Sequence, residues 1–475
     1  MQKQFISKHT GIIIFSFLLS LLYTLLVKNN GFLYDTIVQV SVPANYYFEN
    51  LSLKLLPDQI TTGHPPFVGY YLALLWRCFG KTLFISHLAF FPFVWGILYF
   101  GIKLSQKLSN SINIGIIGGF AIFLEPILLG QSSTLSFDAV HAFFFIFSIY
   151  AFFTHRNLFL FISLAILSLT NMRSGLTGIG LVTSFSLLWY IRDKKITFQQ
   201  LLTVSAPIIL MLIFYTYHYL EKGWIIHNTV SNTWTEDNPY SPFLLRIRNI
   251  AVILFYFLEN GRIWLLSWLA VLFSTFIIKR NTTAIKDTIN HSLLIIFIFQ
   301  LGISIAPLLI SEKFYLSSKY LMPSIITLFF IGIRFITLYM PNRKTVFTGG
   351  LLASAILGNF IIYPDKLSQS WDCTAAHWPY FRLRDSAINY MANNRIQINS
   401  TASFFPNLAN FDLINLSGDS CRFTPFTDSS SYVLYSNIYN VHDSVYNELF
   451  SDKWSEVTRI EKNRVRIHIL KKNDD

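Results

Sequence analysis

Charge and cysteine are what this chain has least of. Only 13% of its 475 residues are charged, while 53% are hydrophobic and 17% aromatic. That balance excludes an ordinary soluble domain of this size. Cysteine occurs three times, as Cys78, Cys373 and Cys421, and no Cys/His spacing resembles a zinc site. Internal repeats and low-complexity linkers are missing too. The net charge of +12 does not make a nucleic-acid face. From Asp365 onward 12 Lys and Arg meet 13 Asp and Glu, so the excess, 25 against 12, lies wholly in the apolar part. Short basic clusters at helix ends set membrane topology.

What is plentiful is apolar length. Runs of about 15 to 20 apolar residues recur along most of the chain, the signature of membrane helices. The first, Gly11 to Val27, follows Lys3 and Lys8 and is read as a span. No small-x-small cleavage site follows it, only Lys28-Asn29-Asn30. Clear spans are expected at 84–101, 112–130, 139–153, 157–171, 175–191, 201–220, 262–279, 291–310, 319–340 and 345–362. Two segments, Pro66–Phe79 and Phe243–Glu259, are short for a crossing of about 20 residues. The second carries Arg246 and Arg248 and closes on Glu259-Asn260-Gly261-Arg262.

If both short segments lie along the interface, every basic cluster between spans faces inward: Lys103/Lys107, His155/Arg156, Arg192/Lys194/Lys195, Lys279/Arg280/Lys286 and Arg343/Lys344. The expected fold is therefore mainly α, a polytopic membrane protein of about eleven transmembrane helices, or thirteen if the two interfacial helices span. Residues 1–362 form the membrane domain and 363–475 a small soluble α/β domain. With an odd count and a cytoplasmic N-terminus, the C-terminal domain is extracytoplasmic, in a bacterial inner membrane by expectation. In it, Pro379 opens a helix through Tyr390. Strands are expected at Ser431–Ser436 and Arg464–Leu470, where Val465, Ile467 and Ile469 alternate with Arg464, Arg466 and His468. Cys373 and Cys421 share that oxidising side, so a disulfide between them is expected.

This topology gathers polar residues on the outer face. Asp35 and His64 lie in the first outer segment, the latter in Thr61-Thr62-Gly63-His64-Pro65-Pro66. Asp138 follows the turn from Gln131. Asn171 and Arg173 occupy the next turn, His227, Asn228, Glu236 and Asp237 the loop 221–242, and Glu312, Lys313, Tyr315 and Lys319 the turn 311–320. Each also has a plainer reading. Asp35 and Asp138 suit helix N-caps, His64 a turn, and Arg173 and Lys319 snorkelling toward headgroups. Their convergence on one face argues for chemistry, because charge near membrane depth is costly without a purpose.

The ordered set resembles the C-type membrane glycosyltransferases, in the protein O-mannosyltransferase and aminoarabinose-transferase branch. The matching pieces are Asp35, the Gly63-His64-Pro65-Pro66 motif opening a helix that ends in Phe79-Gly80, Ser136-Phe137-Asp138, Lys319-Tyr320-Leu321-Met322-Pro323, and an outer C-terminal domain. They cover roughly residues 1–362. The chain departs from that pattern where Thr36 follows Asp35 and where Gly63-His64 precedes Pro-Pro. The resemblance implies transfer of a sugar from a polyprenyl-phosphate donor to a lipid, glycan or protein acceptor on the outer face. Such an enzyme needs a carboxylate base, Asp35, and a cation for the leaving phosphate, Arg173 or Lys319. Asp138 is a second catalytic candidate, orienting the acceptor or holding a divalent metal ion, on which relatives differ. His64, Lys313 and Tyr315 complete the expected substrate-binding set. A polysaccharide polymerase or O-antigen ligase, relying on Arg and His of a large outer loop, is the alternative. A secondary transporter fits less well, because internal symmetry and broken helices are not evident.

Overall fold

The computed structural model describes residues 2–52, 54–225, 242–279, 287–310, 317–364, 367 and 369–473. The loop residues His227, Asn228, Glu236 and Asp237, and Glu312, Lys313 and Tyr315 with them, lie outside the described residues.

All eleven expected spans are helical. The N-terminal helix α1 (Gln2–Val27) leads to α2 (Val42–Glu49) and α3 (Phe67–Phe79). The bundle continues through α4 (Leu83–Ser109), α5 (Ile112–Phe123), α6 (Pro126–Ser132), α7 (Phe137–Phe153), α8 (Asn157–Thr170) and α9 (Met172–Asp193). It is completed by α10 (Phe198–Lys222), α11 (Pro242–Leu258), α12 (Arg262–Lys279), α13 (Thr288–Ile310), α14 (Met322–Tyr339) and α15 (Lys344–Gly358). Among the described residues, six helices are long and apolar enough to cross a membrane by themselves, and two bent pairs raise this to eight. α3, α7 and α8 are apolar but shorter, at 13, 17 and 14 residues.

One expected span, 112–130, is broken. α5 and α6 meet at 65°, because Pro126 cannot continue the hydrogen-bond ladder and Glu125 starts a new helix. The Glu125 carboxylate accepts from the Ile127 and Leu128 N–H groups at 2.9 and 3.3 Å, an N-cap with proline at the first helical position.

The two short segments form α3 and α11. α3 begins beside the Asp35 region, and just past its far end Lys81 pairs with Asp412 of the C-terminal domain. Arg77 donates to the carbonyls of Phe48 and Glu49. Both ends of α3 thus sit at one end of the bundle. α11 meets α12 at 83° through Asn260 and Gly261, both at positive φ, as an Asn-Gly corner permits.

The C-terminal part begins with a strap of 3₁₀ turns at Trp371–Cys373 and Ala375–His377, followed by α16 (Pro379–Asn393). Its sheet has β1 (Thr401–Ser403), β2 (Thr424–Pro425), β3 (Tyr432–Ser436), β4 (Trp454–Lys462) and β5 (Val465–Lys472), in the order β2-β1-β3-β5-β4. β1 runs parallel to both neighbours, and β3–β5–β4 are antiparallel. Val465, Ile467 and Ile469 are fully buried, as their alternation requires. The β4–β5 hairpin turns on two residues, Asn463 (φ 52°) and Arg464 (φ 64°). Such a turn favours Asn-Gly, and a non-glycine residue held left-handed costs about 1–2 kcal/mol.

The two parts interlock. Leu33 and Tyr34 pack in the core of the sheet domain, while Cys373 and Ile414 pack in the core of the helical bundle. The Phe32 N–H donates to Ile414 O at 2.8 Å and Ser41 Oγ to Leu413 O at 2.7 Å. This interlocking corrects the expected disulfide: Cys373 and Cys421 are both free. Cys373 is drawn into the bundle, 3.8 Å from Ser317 Oγ. Cys421 stays on the far loop, its N–H on Asp419.

Candidate active site

The loops at one end of the bundle converge on a chain of charges. The Lys319 ammonium donates to Asp35 Oδ2 at 2.7 Å and to Asp372 Oδ2 at 2.9 Å. Asp372 is further bound by Gln131 Nε2, at 2.9 Å to Oδ2 and 3.1 Å to its carbonyl. Lys319 is nearly buried, with 6% of its side chain exposed, whereas Asp35 keeps 38% exposed. One cation thus holds two carboxylates, and Asp35 is the one that faces open space.

Local structure aims each group. Tyr34, just before Asp35, sits at φ 50° and is tied to the C-terminal domain by its hydroxyl, which donates to Ile438 O. That anchoring holds a backbone conformation unfavourable for a tyrosine, a pattern that clusters at functional sites. Lys319 lies in a 3₁₀ turn (Ser318–Leu321) ahead of Pro323 at the start of α14. Asp372 is delivered by the strap, which crosses α6 at Gly130. A Cβ there would lie 2.5 Å from Asp372 O and 2.6 Å from Thr374 N, so glycine is what lets the strap approach.

Arg173 and Asp138 form the second pair, 3.4 Å apart. Asp138 is 1% exposed in its side chain, and its Oδ1 is enclosed without a hydrogen-bond partner. It is not the N-cap of α7. That role belongs to Ser136, whose Oγ accepts from the Asp138 N–H at 3.0 Å. Arg173 does not snorkel toward lipid. Its guanidinium lies over the rings of Tyr320 at 4.6 Å and Phe137 at 5.2 Å, a cation–π seat, and α9 behind it is capped by Asn171, whose Oδ1 accepts from the Ser174 N–H at 2.7 Å.

His64 joins this group with its Nδ1 enclosed and unpartnered. Burial pushes its imidazole pKa down to about 4, the charge of Arg173 adds to the shift, and Asp35 opposes it. The ring is neutral at physiological pH. The unfolded chain takes up this proton near pH 6.5 and the folded chain only near 4, so stability is full above 6.5 and falls as pH drops toward 4. His64→Gln is therefore expected to remove roughly 1–3 kcal/mol of that acid destabilisation. Thermal unfolding of both chains in detergent from pH 7 to 4 checks this; identical slopes would contradict it.

Asp372 was not among the sequence candidates. Burial works to raise its pKa, but Lys319 and Gln131 outweigh it and hold the carboxyl below the usual range. Asp372 belongs to the strap after the last apolar run, a stretch assigned by composition to a separate domain. The one signal for Gln131 was its position in the outer turn. A second unforeseen cluster lies alongside. Arg262 Nε donates to Glu125 Oε1 at 2.8 Å, and its Nη1 lies 3.7 Å from Glu259 Oε1. All three side chains are at most 3% exposed.

Among the described residues, no group of three or more His, Cys, Asp or Glu is arranged to hold a metal ion. The Oδ2 atoms of Asp35 and Asp372 are already joined by the Lys319 ammonium, so this donor set does not fit a divalent cation.

No protein-family model matches the sequence, and no curated protein does. Two solved structures are similar in fold. The crystal structure of ArnT from Cupriavidus metallidurans bound to undecaprenyl phosphate aligns with a TM-score of 0.53 at 9% identity, over 97% of this chain and 98% of that one. The apo state of the same protein aligns over the same shares with a TM-score of 0.49 at 10% identity. The chain shares the overall fold of ArnT.

Proposed function

We propose that this chain transfers a sugar from a polyprenyl-phosphate donor to an acceptor at the outer face of the membrane. The observation that carries the reading is the Asp35–Lys319–Asp372 chain, with Arg173 and Asp138 beside it, at one end of a bundle of ArnT-like fold. The basic clusters Lys103/Lys107, Arg192/Lys194/Lys195 and Arg343/Lys344 cap the opposite ends of α4, α9 and α14. The positive-inside rule makes that end cytoplasmic and the charged end outer. The division at residues 362/363 and the outward C-terminal domain are part of the same reading.

The reaction requires a new C–O bond from the acceptor oxygen to the anomeric carbon and cleavage of the bond to the phosphate oxygen. The acceptor hydroxyl loses its proton as it attacks, so a carboxylate must stand open to it. Asp35 meets that need: Lys319 pins one carboxylate oxygen, and the side chain remains partly exposed. The departing phosphate accumulates negative charge and needs a cation. Lys319 is committed to two carboxylates, so in this reading it positions Asp35. Arg173, 22% exposed and only loosely paired with Asp138, takes the phosphate, with Asp138 as its orienting partner. ArnT holds undecaprenyl phosphate, and a lipid phosphate of that class is the donor proposed here. Lys313 and Tyr315 keep their proposed substrate-binding role on sequence grounds, and His64 lines the site as a neutral ring.

The test is donor consumption. The purified chain in nanodiscs, given a polar lipid extract containing polyprenyl-phosphate sugars, is expected to release free polyprenyl phosphate in step with glycosylated product, read by mass spectrometry. A folded chain that consumes no such donor from any extract would overturn the reading.

A further inference from the structure

Away from the charged chain, a cleft of about 1050 Å³ opens where the ends of α1 and α15 meet the C-terminal domain. The strap that carries Asp372 separates the two, turning Ala375, Ala376 and Trp378 into the cleft. Its walls are of two kinds. Leu26, Ile356 and Phe360 remain 68%, 39% and 76% exposed, an apolar surface contributed by the ends of membrane helices. Facing them are Arg382 of α16 and Lys462 and Arg464 of the β4–β5 hairpin. Among the described residues, no acidic side chain lines the cleft.

A second observation concerns the hairpin tip. Arg464 occupies the second position of a two-residue turn at φ 64°, where glycine fits without strain. A strained, charged residue at the mouth of a cleft points to a role for the side chain rather than for the turn.

We propose that this cleft docks an anionic membrane lipid, its phosphate held by Arg382, Lys462 and Arg464 and its hydrocarbon chain lying along Leu26, Ile356 and Phe360. The two walls select this occupant together. An acidic peptide would satisfy the cations and leave the apolar wall in water, and a neutral lipid would leave three cations uncompensated. The site is distinct from the proposed reaction centre and does not depend on what that centre does.

The test uses the full chain in a mild detergent, titrated with phosphatidylglycerol or phosphatidylcholine and read as bound lipid by native mass spectrometry. Each cation near an anionic lipid contributes about five-fold in affinity, so Arg382→Gln/Lys462→Gln/Arg464→Gly is expected to weaken phosphatidylglycerol binding roughly 100-fold. Phosphatidylcholine binding should be unchanged. Arg464→Gly alone should weaken it about five-fold and unfold no earlier than the parent, because glycine suits that turn. Equal retention of phosphatidylglycerol by the triple variant and the parent would overturn the proposal. So would equal retention of the two lipids by the parent, or displacement of phosphatidylglycerol by millimolar inorganic phosphate, which would mark a site for free anions.

Discussion

Asp35→Asn is expected to cut sugar transfer by about 10² to 10⁴, the usual contribution of a general base, while leaving the chain folded and able to bind donor. The change is nearly isosteric and removes only the ability to take a proton. It also separates the two readings of this residue. Asn and Asp cap helices about equally, so a structural cap would tolerate the change. Asn would still accept from Lys319 through its carbonyl oxygen, and Asp372 remains as counter-charge for the ammonium, which limits the structural cost. Donor consumption at saturating donor and acceptor, with binding of polyprenyl phosphate measured separately, gives the result. Full transfer by a normally expressed Asp35→Asn chain would remove the central residue of the proposal.

Arg262→Ala is expected to destabilise the fold by about 3–5 kcal/mol, the range for breaking a buried ion pair from one side. The guanidinium stands between two carboxylates, Glu125 and Glu259, each 1% exposed in its side chain. Without it, two enclosed carboxylates face one another with no counter-charge. Glu125 also caps α6, and Arg262 Nη1 donates to Tyr256 O at 3.0 Å across the α11–α12 corner. One side chain therefore ties the break in the α5–α6 pair to the corner beside it. Adding Glu259→Gln to Arg262→Ala should restore part of the loss, since it removes one of the stranded charges. Tryptophan fluorescence during thermal unfolding in detergent reads both effects, and a single variant melting with the parent would refute the argument.

The placement and order of the long apolar helices were legible in the sequence because hydropathy is a local property. A run such as Gly11–Val27 or 319–340 needs no partner to declare itself. The basic clusters that orient those runs are local too, and so is the alternation of Val465, Ile467 and Ile469. The break at Pro126 was not read from the sequence, in which 112–130 runs as one span. The residues that gather at one end of the bundle were legible for the same reason: Asp35, His64, Asp138, Arg173 and Lys319 each border an apolar run, and alternating crossings bring those borders to one side.

Only the tertiary structure decided who meets whom. Lys319 reaches a carboxylate 284 positions earlier, and Arg262 one 137 positions earlier. Nothing in either segment's composition names its partner. Lys319 had been expected to face phosphate and is instead enclosed by Asp35 and Asp372, because the strap crosses α6 at Gly130 and brings a second carboxylate to it. The same crossing carries Cys373 into the helical core and leaves Cys421 outside, so a shared compartment did not become a shared bond. Composition and periodicity determine which segments enter the membrane, since burial of apolar surface is decided residue by residue. Pairing among buried charges depends on the packing of helix ends far apart in the chain, and that packing exists only in the folded molecule.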